Sequence, residues 1–284
     1  IKENKGAFRV SFSLTGTVVE QFKLYAPEVL DSFRELVKTG CVELLCETYS
    51  HSLAALSSKE DFTEQVKAHM AMLKKEFGVK PKAFRNTELI YSDEIGAMVG
   101  ELGFKTILAE GAKHVLGWKS PDYVYASAGD QSLRVLLRNY KLSDDISLRF
   151  ANTSWEAYPL MAGTYMDWIA QTPAEEEVIN IFMELSALGI FQPLSSNILE
   201  FFKALPECAR ERGISFSTPS EVIKNYKSVG SVDVPYPMSW VDEERDISCW
   251  LGNTMQREAF NKLYSVADRV LIGLDKRIKQ DWDY

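Results

Sequence analysis

Apolar residues recur at every second position in AFRVSFSL (7–14). This places Phe8, Val10, Phe12 and Leu14 on one side of an extended chain, the period of a half-buried strand. The spacing then changes to that of a helix in TVVEQFKLYAPEVLDSFRELVKTG, with a break expected at Pro27 and an end at Gly40. CVELLCE (41–47) is apolar enough for a buried parallel strand. In SSKEDFTEQVKAHMAMLKKEFG, residues Phe62, Val66, Met70, Leu73 and Phe77 form one helical stripe that Gly78 ends. His69 lies beside that stripe and reads as a structural residue. KAFRNT (82–87) predicts a third strand, SDEIGAMVGELG a third helix and KTILAE (105–110) a fourth strand.

Shorter strands are expected in DYVYAS and SLRVLLRNY, and helical segments around LSDDISLRFA and AGTYMDWIAQT. EVINIFMEL (177–185) is the clearest late strand. SSNILEFFKALPECARERG reads as an amphipathic helix with a Ser cap, and ISFSTPSEVIKNY as a last short strand and helix. Repeated strand–helix units imply a parallel sheet. About seven of them point to an α/β barrel, closed or nearly so. From Trp240 onward the apolar spacing is helical throughout, and the Gly- and Pro-rich SVGSVDVPYP separates this part from the barrel. The expected domains are a barrel over 1–230 and a helical region over 231–284.

The net charge of −8 disfavours nucleic acid and anionic membrane as partners, because phosphate binding needs a basic face. No apolar run approaches the roughly 20 residues of a membrane span, and IKENKGAFRV carries no signal-peptide core. Cys41, Cys46, Cys208 and Cys249 show no paired spacing, so free thiols in a reducing, cytoplasmic setting are expected. His51, His69 and His114 form no H-x-x-H or H-x-x-x-H, so no His-based metal site is expected. This also argues against a metal-dependent polysaccharide deacetylase. The aromatic content of 12% supplies core residues or stacking platforms for sugar rings.

In a barrel the reacting groups collect at the C-terminal ends of the strands. Those ends carry Glu47-Thr48-Tyr49-Ser50-His51, Asn86-Thr87-Glu88, Glu110, Arg138-Asn139-Tyr140, Glu184 and Ser217-Thr218. Glu88, in FRNTELIYSDEI, sits at a strand-to-helix junction, and Glu184 could face it across the mouth. Two carboxylates around a neutral polar substrate suggest glycoside chemistry, one attacking the anomeric carbon and the other protonating the leaving oxygen. Glu47 and Glu110 are candidates for holding sugar hydroxyls or are ordinary rim acids. Asp144 and Asp145 read as a helix start, and Asp167 as a surface residue. Trp118 lines the cleft or packs in the core.

The stretches GCVELLCETYSHSLAAL, KAFRNTELIYSDEI and ILAEGAKHVLGWKSPDYVYAS resemble glycoside hydrolase family 57, in its α-amylase-like branch. The likeness continues through NYKLSDDISLRFA, VINIFM and FSTPSEVI to DEERDISCWLGNTMQREAF. The resemblance implies an incomplete (β/α)7 barrel followed by helices, retaining action on α-glucan or maltooligosaccharide substrates, and no cofactor or catalytic metal. It implies Glu88 as nucleophile and, at the acid/base position, Glu184. The substrate-binding candidates are His51, Glu47, Tyr49, Glu110, Trp118 and Trp250. Two departures qualify this. The family's first-strand His-Gln-Pro motif does not occur, so the sequence is expected to begin at the second family strand, and its end at DWDY is expected to be a truncation. The acid/base position, an Asp in the family, holds Glu184, and a displacement of roughly 1 Å can cost about 100-fold in rate. LSALGIF follows where the family has Tyr-Glu-Thr-Phe-Gly-Glu-His. An apolar run there is what a packed core requires, and it raises the alternative of an impaired relative that keeps the fold and binds glucan.

Overall fold

A computed structural model describes residues 1, 4, 6–273 and 275–283. Strand β1 (Val10–Ser13) leads into helices α1 (Gly16–Tyr25) and α2 (Pro27–Lys38). The break falls at Ala26, before Pro27, as the sequence predicts, and Gly40 has φ +71° just past α2. Strand β2 (Val42–Leu45) is followed by α3 (Lys59–Phe77). Ser58 caps α3 by accepting from the Asp61 N–H, and Gly78 closes it at φ +71°. Then come β3 (Ala83–Arg85), α4 (Asp93–Glu101), β4 (Thr106–Glu110), α5 (Lys113–Leu116), β5 (Val124–Ser127) and β6 (Arg134–Arg138). Helices α6 (Tyr140–Ser147), α7 (Ala162–Ala170), α8 (Ile198–Glu211) and α9 (Pro219–Asn225) precede β7 (Ser231–Val232). Four helices end the described chain: α10 (Ser248–Leu251), α11 (Thr254–Tyr264), α12 (Ala267–Leu271) and α13 (Lys276–Asp283).

The strands form a two-stranded sheet, β1-β2, and a five-stranded sheet, β3-β4-β6-β5-β7. A parallel bridge from Cys46 to Phe84 joins the two, so the wall runs β1 to β7 without a gap. β1 to β4 and β6 are parallel, from Val10↔Val42 through Glu110↔Arg138. β5 runs antiparallel to β6, and β7 follows β5 in parallel. This is an incomplete barrel. On the far side, Arg9 bonds Glu221 (2.8 Å) and the Ser220 N–H donates to Glu43 (2.9 Å), so α9 stands beside β1 and β2. Helices α3 and α4 bury Phe62, Ile95 and Val99 against Phe84, Ile107 and Val135 of the sheet. A second core joins α6, α7 and α8 through Ile146, Tyr165, Met166 and Phe201. Fully burying one such side chain contributes about 1.5–3 kcal/mol.

Three sequence expectations need correction. EVINIFMEL is not a strand; Asn180 alone makes a bridge, to Arg138. Isolated backbone bonds, Val178 N–H to the Asp122 carbonyl and Asn139 N–H to the Asn180 carbonyl, and side chains satisfy its backbone instead of a ladder. The Ser143 hydroxyl accepts from the Phe182 N–H (3.2 Å) and Arg138 donates to the Phe182 carbonyl (2.8 Å). ISFS is likewise irregular, although Phe216 packs edge-on to Phe8 at 4.9 Å and so lies along the wall. The cap of α8 is Asn197, at φ +63°, and not a Ser. β7 pairs with β5, and Met238 pairs with Tyr91.

Candidate active site

Glu88 is presented by a short 3-10 turn, Thr87–Leu89, at the end of β3. Glu88 (φ +50°) and Leu89 (φ +52°) are successive non-glycine residues in the left-handed region. Such backbone costs about 1–3 kcal/mol per residue and persists only where its surroundings hold it. Here the holding contacts are explicit. Asn86 donates to the Ile90 carbonyl (3.0 Å), and the Ser239 hydroxyl and the Trp240 N–H donate to the Glu88 carbonyl (2.8 and 3.3 Å). Thr87 bonds Thr48 at the end of β2 (3.0 Å).

Both carboxylate oxygens of Glu88 are engaged. His51 Nε2 donates to Oε1 at 2.7 Å, and the Trp240 indole N–H donates to Oε2 at 2.7 Å. His51, itself at φ +58°, places Nδ1 3.1 Å from Glu47 Oε2. The Ser13 hydroxyl donates to Glu47 (2.6 Å), and Arg85 stands 3.4 Å from it. An imidazole between two carboxylates donates from both nitrogens. Burial opposes its charge, but the hydrogen bonds to Glu47 and Glu88 prevail and bring its pKa to about 9. Burial likewise opposes charge on Glu88, and His51, Trp240 and Arg85 outweigh it, holding the carboxyl at about 2. Glu47 is lowered too, against its burial, chiefly by the His51 bond. At neutral pH the row is therefore carboxylate, imidazolium, carboxylate. His69, from α3, ties two strand ends behind it. Its Nε2 donates to the Leu14 carbonyl (2.7 Å), and its Nδ1 faces Cys46 Sγ (3.4 Å) and the Glu47 N–H (3.3 Å). This is the structural role the sequence suggests.

Behind Trp240 lies a buried ionic cluster. The guanidinium carbons of Arg85 and Arg138 stand 5.4 and 5.6 Å from its ring centroid. Arg138 donates to Glu110 (3.1 Å) and Asp144 (2.5 Å), while Arg245 bonds Asp144 (3.2 Å) and the Trp240 carbonyl. Glu110 is 0% exposed, and burial pushes its carboxyl up against the pull of both arginines. Its partners within the wall are Arg138 and Arg245, at a position the sequence leaves open between a holder of sugar hydroxyls and a rim acid. Asp144 is reassigned. Asn139 caps α6, accepting from the Leu142 N–H, and Asp144 serves the arginine cluster. Asp145 pairs with Arg149 (2.7 Å) and Asp167 with Arg212 (2.6 Å), the latter at the surface as expected.

Glu184 lies two residues beyond Phe182, which packs, as Trp240 does, against the cluster of Leu45, Ala83, Leu89 and Leu108. It is exposed and accepts from the Ser186 hydroxyl at 2.8 Å. The structure thus brings Glu88, His51 and Glu47 together, and among the described residues no hydrogen bond or ion pair joins Glu184 to them. LSALGIF is only half core. Ala187 is buried and Leu188 packs on the second cluster, but Ile190 and Phe191 are 77% and 56% exposed. Tyr49 turns to α1, donating to Glu20 (2.5 Å) and covering Gly16, where a Cβ would meet its ring at 2.3 Å. Trp118, at 92% exposure, is not a core residue. Trp250 packs against the main core.

Sequence reasoning missed Trp240, Arg85 and Arg245 as site residues. Arg85 stands in the same FRNTE stretch as Glu88. Trp240 falls where the helical pattern begins, and nothing in the pattern signals its bond to Glu88.

The sequence profile described as Glycosyl hydrolase family 57 matches residues 1–235. A "Putative alpha-amylase" of Methanocaldococcus jannaschii is 46% identical over 263 residues, which cover 91% of this chain and 56% of that relative. The chain thus spans little more than half the length of that relative. Among solved structures, a 4-alpha-glucanotransferase from Thermococcus litoralis superposes with a TM-score of 0.71 at 19% identity, covering 94% of this chain and 41% of that one. A GH57-type branching enzyme from Pyrococcus horikoshii gives a TM-score of 0.68 at 16% identity, covering 94% of this chain and 61% of that one. These two likenesses show the incomplete-barrel fold. The profile match over most of the sequence shows the lineage: the chain belongs to glycosyl hydrolase family 57.

Proposed function

We propose that the chain provides the catalytic face of a retaining glycosidase or glucanotransferase acting on α-glucans, with Glu88 as nucleophile. The carrying observation is the state of Glu88: ionised, fixed by donors at 2.7 Å on each oxygen and presented by a strained turn at a strand end. A nucleophilic carboxylate must be charged at working pH and aimed at one point. The second carboxylate protonates the leaving oxygen and then activates water or an acceptor hydroxyl. Glu184 is the candidate by its place in the sequence, two residues past the Phe182 contact. The similarity to proteins named alpha-amylase and 4-alpha-glucanotransferase supports maltooligosaccharides as substrates.

The test is turnover of maltooligosaccharides and of an aryl α-glucoside. Glu88→Gln is expected to lower the rate by about 10³-fold or more, and Glu184→Gln by about 100-fold. A measurable parent rate that Glu88→Gln leaves unchanged overturns the assignment of roles.

A second reading, glucan binding without turnover, draws on the exposed Glu184 with its Ser186 partner and on the Ile190–Phe191 surface that follows. A parent without turnover whose melting temperature rises with maltooligosaccharide favours it.

A further inference from the structure

We infer that Trp240 holds Oε2 of Glu88 throughout the reaction, and that Oε1, now shared with His51, is the atom that bonds the sugar. The inference rests on the retaining reading above and divides the labour between the two oxygens. A glycosyl ester uses one carboxylate oxygen and leaves the other as a carbonyl. In the free protein both are engaged at 2.7 Å, and the oxygen that bonds C1 becomes the poorer acceptor of the ester, so the partner on that oxygen loses most of its bond.

The two partners are not equally free to withdraw. The Trp240 ring carries Arg85 and Arg138 against it at 5.4 and 5.6 Å. Its backbone N–H donates to the Glu88 carbonyl, and its own carbonyl is taken by Arg245. Phe182 and Leu89 pack in the same cluster. Moving the indole would break contacts to the ends of β3 and β6 and to the buried arginine cluster. His51 has a side chain 33% exposed and a second carboxylate partner in Glu47, so it can leave Glu88 without losing its charge balance. Chemistry points the same way. Once the ester forms, Oε2 is a neutral carbonyl oxygen that still accepts from an indole N–H. The imidazolium would face an oxygen with no charge, and it stays with Glu47 instead. In the step itself the Oε1–C1 bond forms as the C1–O bond to the leaving group breaks. The bonding pair passes to the leaving oxygen, which takes a proton from the second carboxylic acid. Cationic groups on the indole ring strengthen its N–H as a donor, so Trp240 acts as a positioning residue that also keeps Glu88 ionised.

Trp240→Phe keeps the ring between the arginines and removes the N–H. In carboxyl-carbon NMR of glutamate-labelled protein, with the Glu88 signal assigned by its loss in Glu88→Gln, its titration midpoint is expected to rise by about one pH unit. The acid limb of kcat on maltooligosaccharides should move with it, with kcat lowered and KM little changed. A folded Trp240→Phe with the Glu88 midpoint unmoved overturns the inference. Should that variant not fold, the indole N–H proton signal of Trp240 is read in Glu88→Gln. An upfield move is expected, because a charge-assisted bond becomes a neutral one, and an unmoved signal overturns the hold on Oε2. A parent with no turnover but a moved midpoint overturns the retaining reading and not the hold of Trp240.

Discussion

His51 carries a pH signature that a stability measurement near neutrality can read. Its folded value of about 9 lies above the roughly 6.5 of a free imidazole. Its stabilising contribution is therefore fully present below pH about 6.5 and is lost as pH rises through about 9. For Glu88 the sign reverses: the carboxyl is depressed to about 2, so its contribution is present above pH about 4.3 and lost as pH falls through 2. The two groups share one bond, so its energy counts once. With His51 one-third exposed, about 2 kcal/mol is a fair upper figure after solvent screening. Thermal melts between pH 7 and pH 9.5 should show the parent losing stability with rising pH and His51→Gln losing much less. Equal slopes in the two proteins would remove the imidazolium from between the carboxylates.

At the level of elements, a close approach in the site wall joins the ends of β4 and β6. A Cβ at Gly111 would lie 2.3 Å from the Arg138 carbonyl oxygen and 2.9 Å from Pro121. Gly111→Ala must push two strand ends apart at the point where Glu110 and Arg138 meet. The expected cost is about 1–3 kcal/mol, read as a lower denaturant midpoint, and a midpoint equal to the parent's contradicts the packing. The helices were legible from sequence because their ends carry their own chemistry, as Ser58 and Gly78 do for α3. Strands β1 to β4 were legible because apolar period and strand pairing coincide there. EVINIFMEL has the apolar pattern without the ladder: Arg138, Ser143 and Asn180 side chains take up the bonds a neighbouring strand would have made, and no periodicity encodes that substitution. The strand-end rule located Glu88, His51 and Glu47 for the same reason it failed on Trp240, which arrives from a segment with no strand of its own. Glu110 obeys the rule in position, but arginines from β6 and from the segment after Trp240 enclose it.

Over the whole molecule, Arg245 fastens the C-terminal part to the barrel. It bonds Asp144 on α6 and the Trp240 carbonyl and lies 3.6 Å from Glu110 at the end of β4. Arg245→Ala leaves Glu110 with a single cationic partner in a buried setting and is expected to cost on the order of 3 kcal/mol. It should also speed proteolytic cleavage between 240 and 255, and a variant as stable and as protease-resistant as the parent would show that this tie is dispensable. A last consequence follows from the reversed direction of β5. Val124 pairs with Leu136 and Ala126 with Arg134, so the first residue of β5, not its last, lies toward the Arg138 end of the sheet. The connection over 111–123 thus leaves and re-enters the sheet at the same end, beside Glu110, with Trp118 out in solvent. Its flanks are tied in, with Ala112 and Leu116 buried in the main core and Asp122 accepting from Asn139, so a longer or foreign version would be grafted at the exposed tip around Trp118, where no strand has to be re-registered.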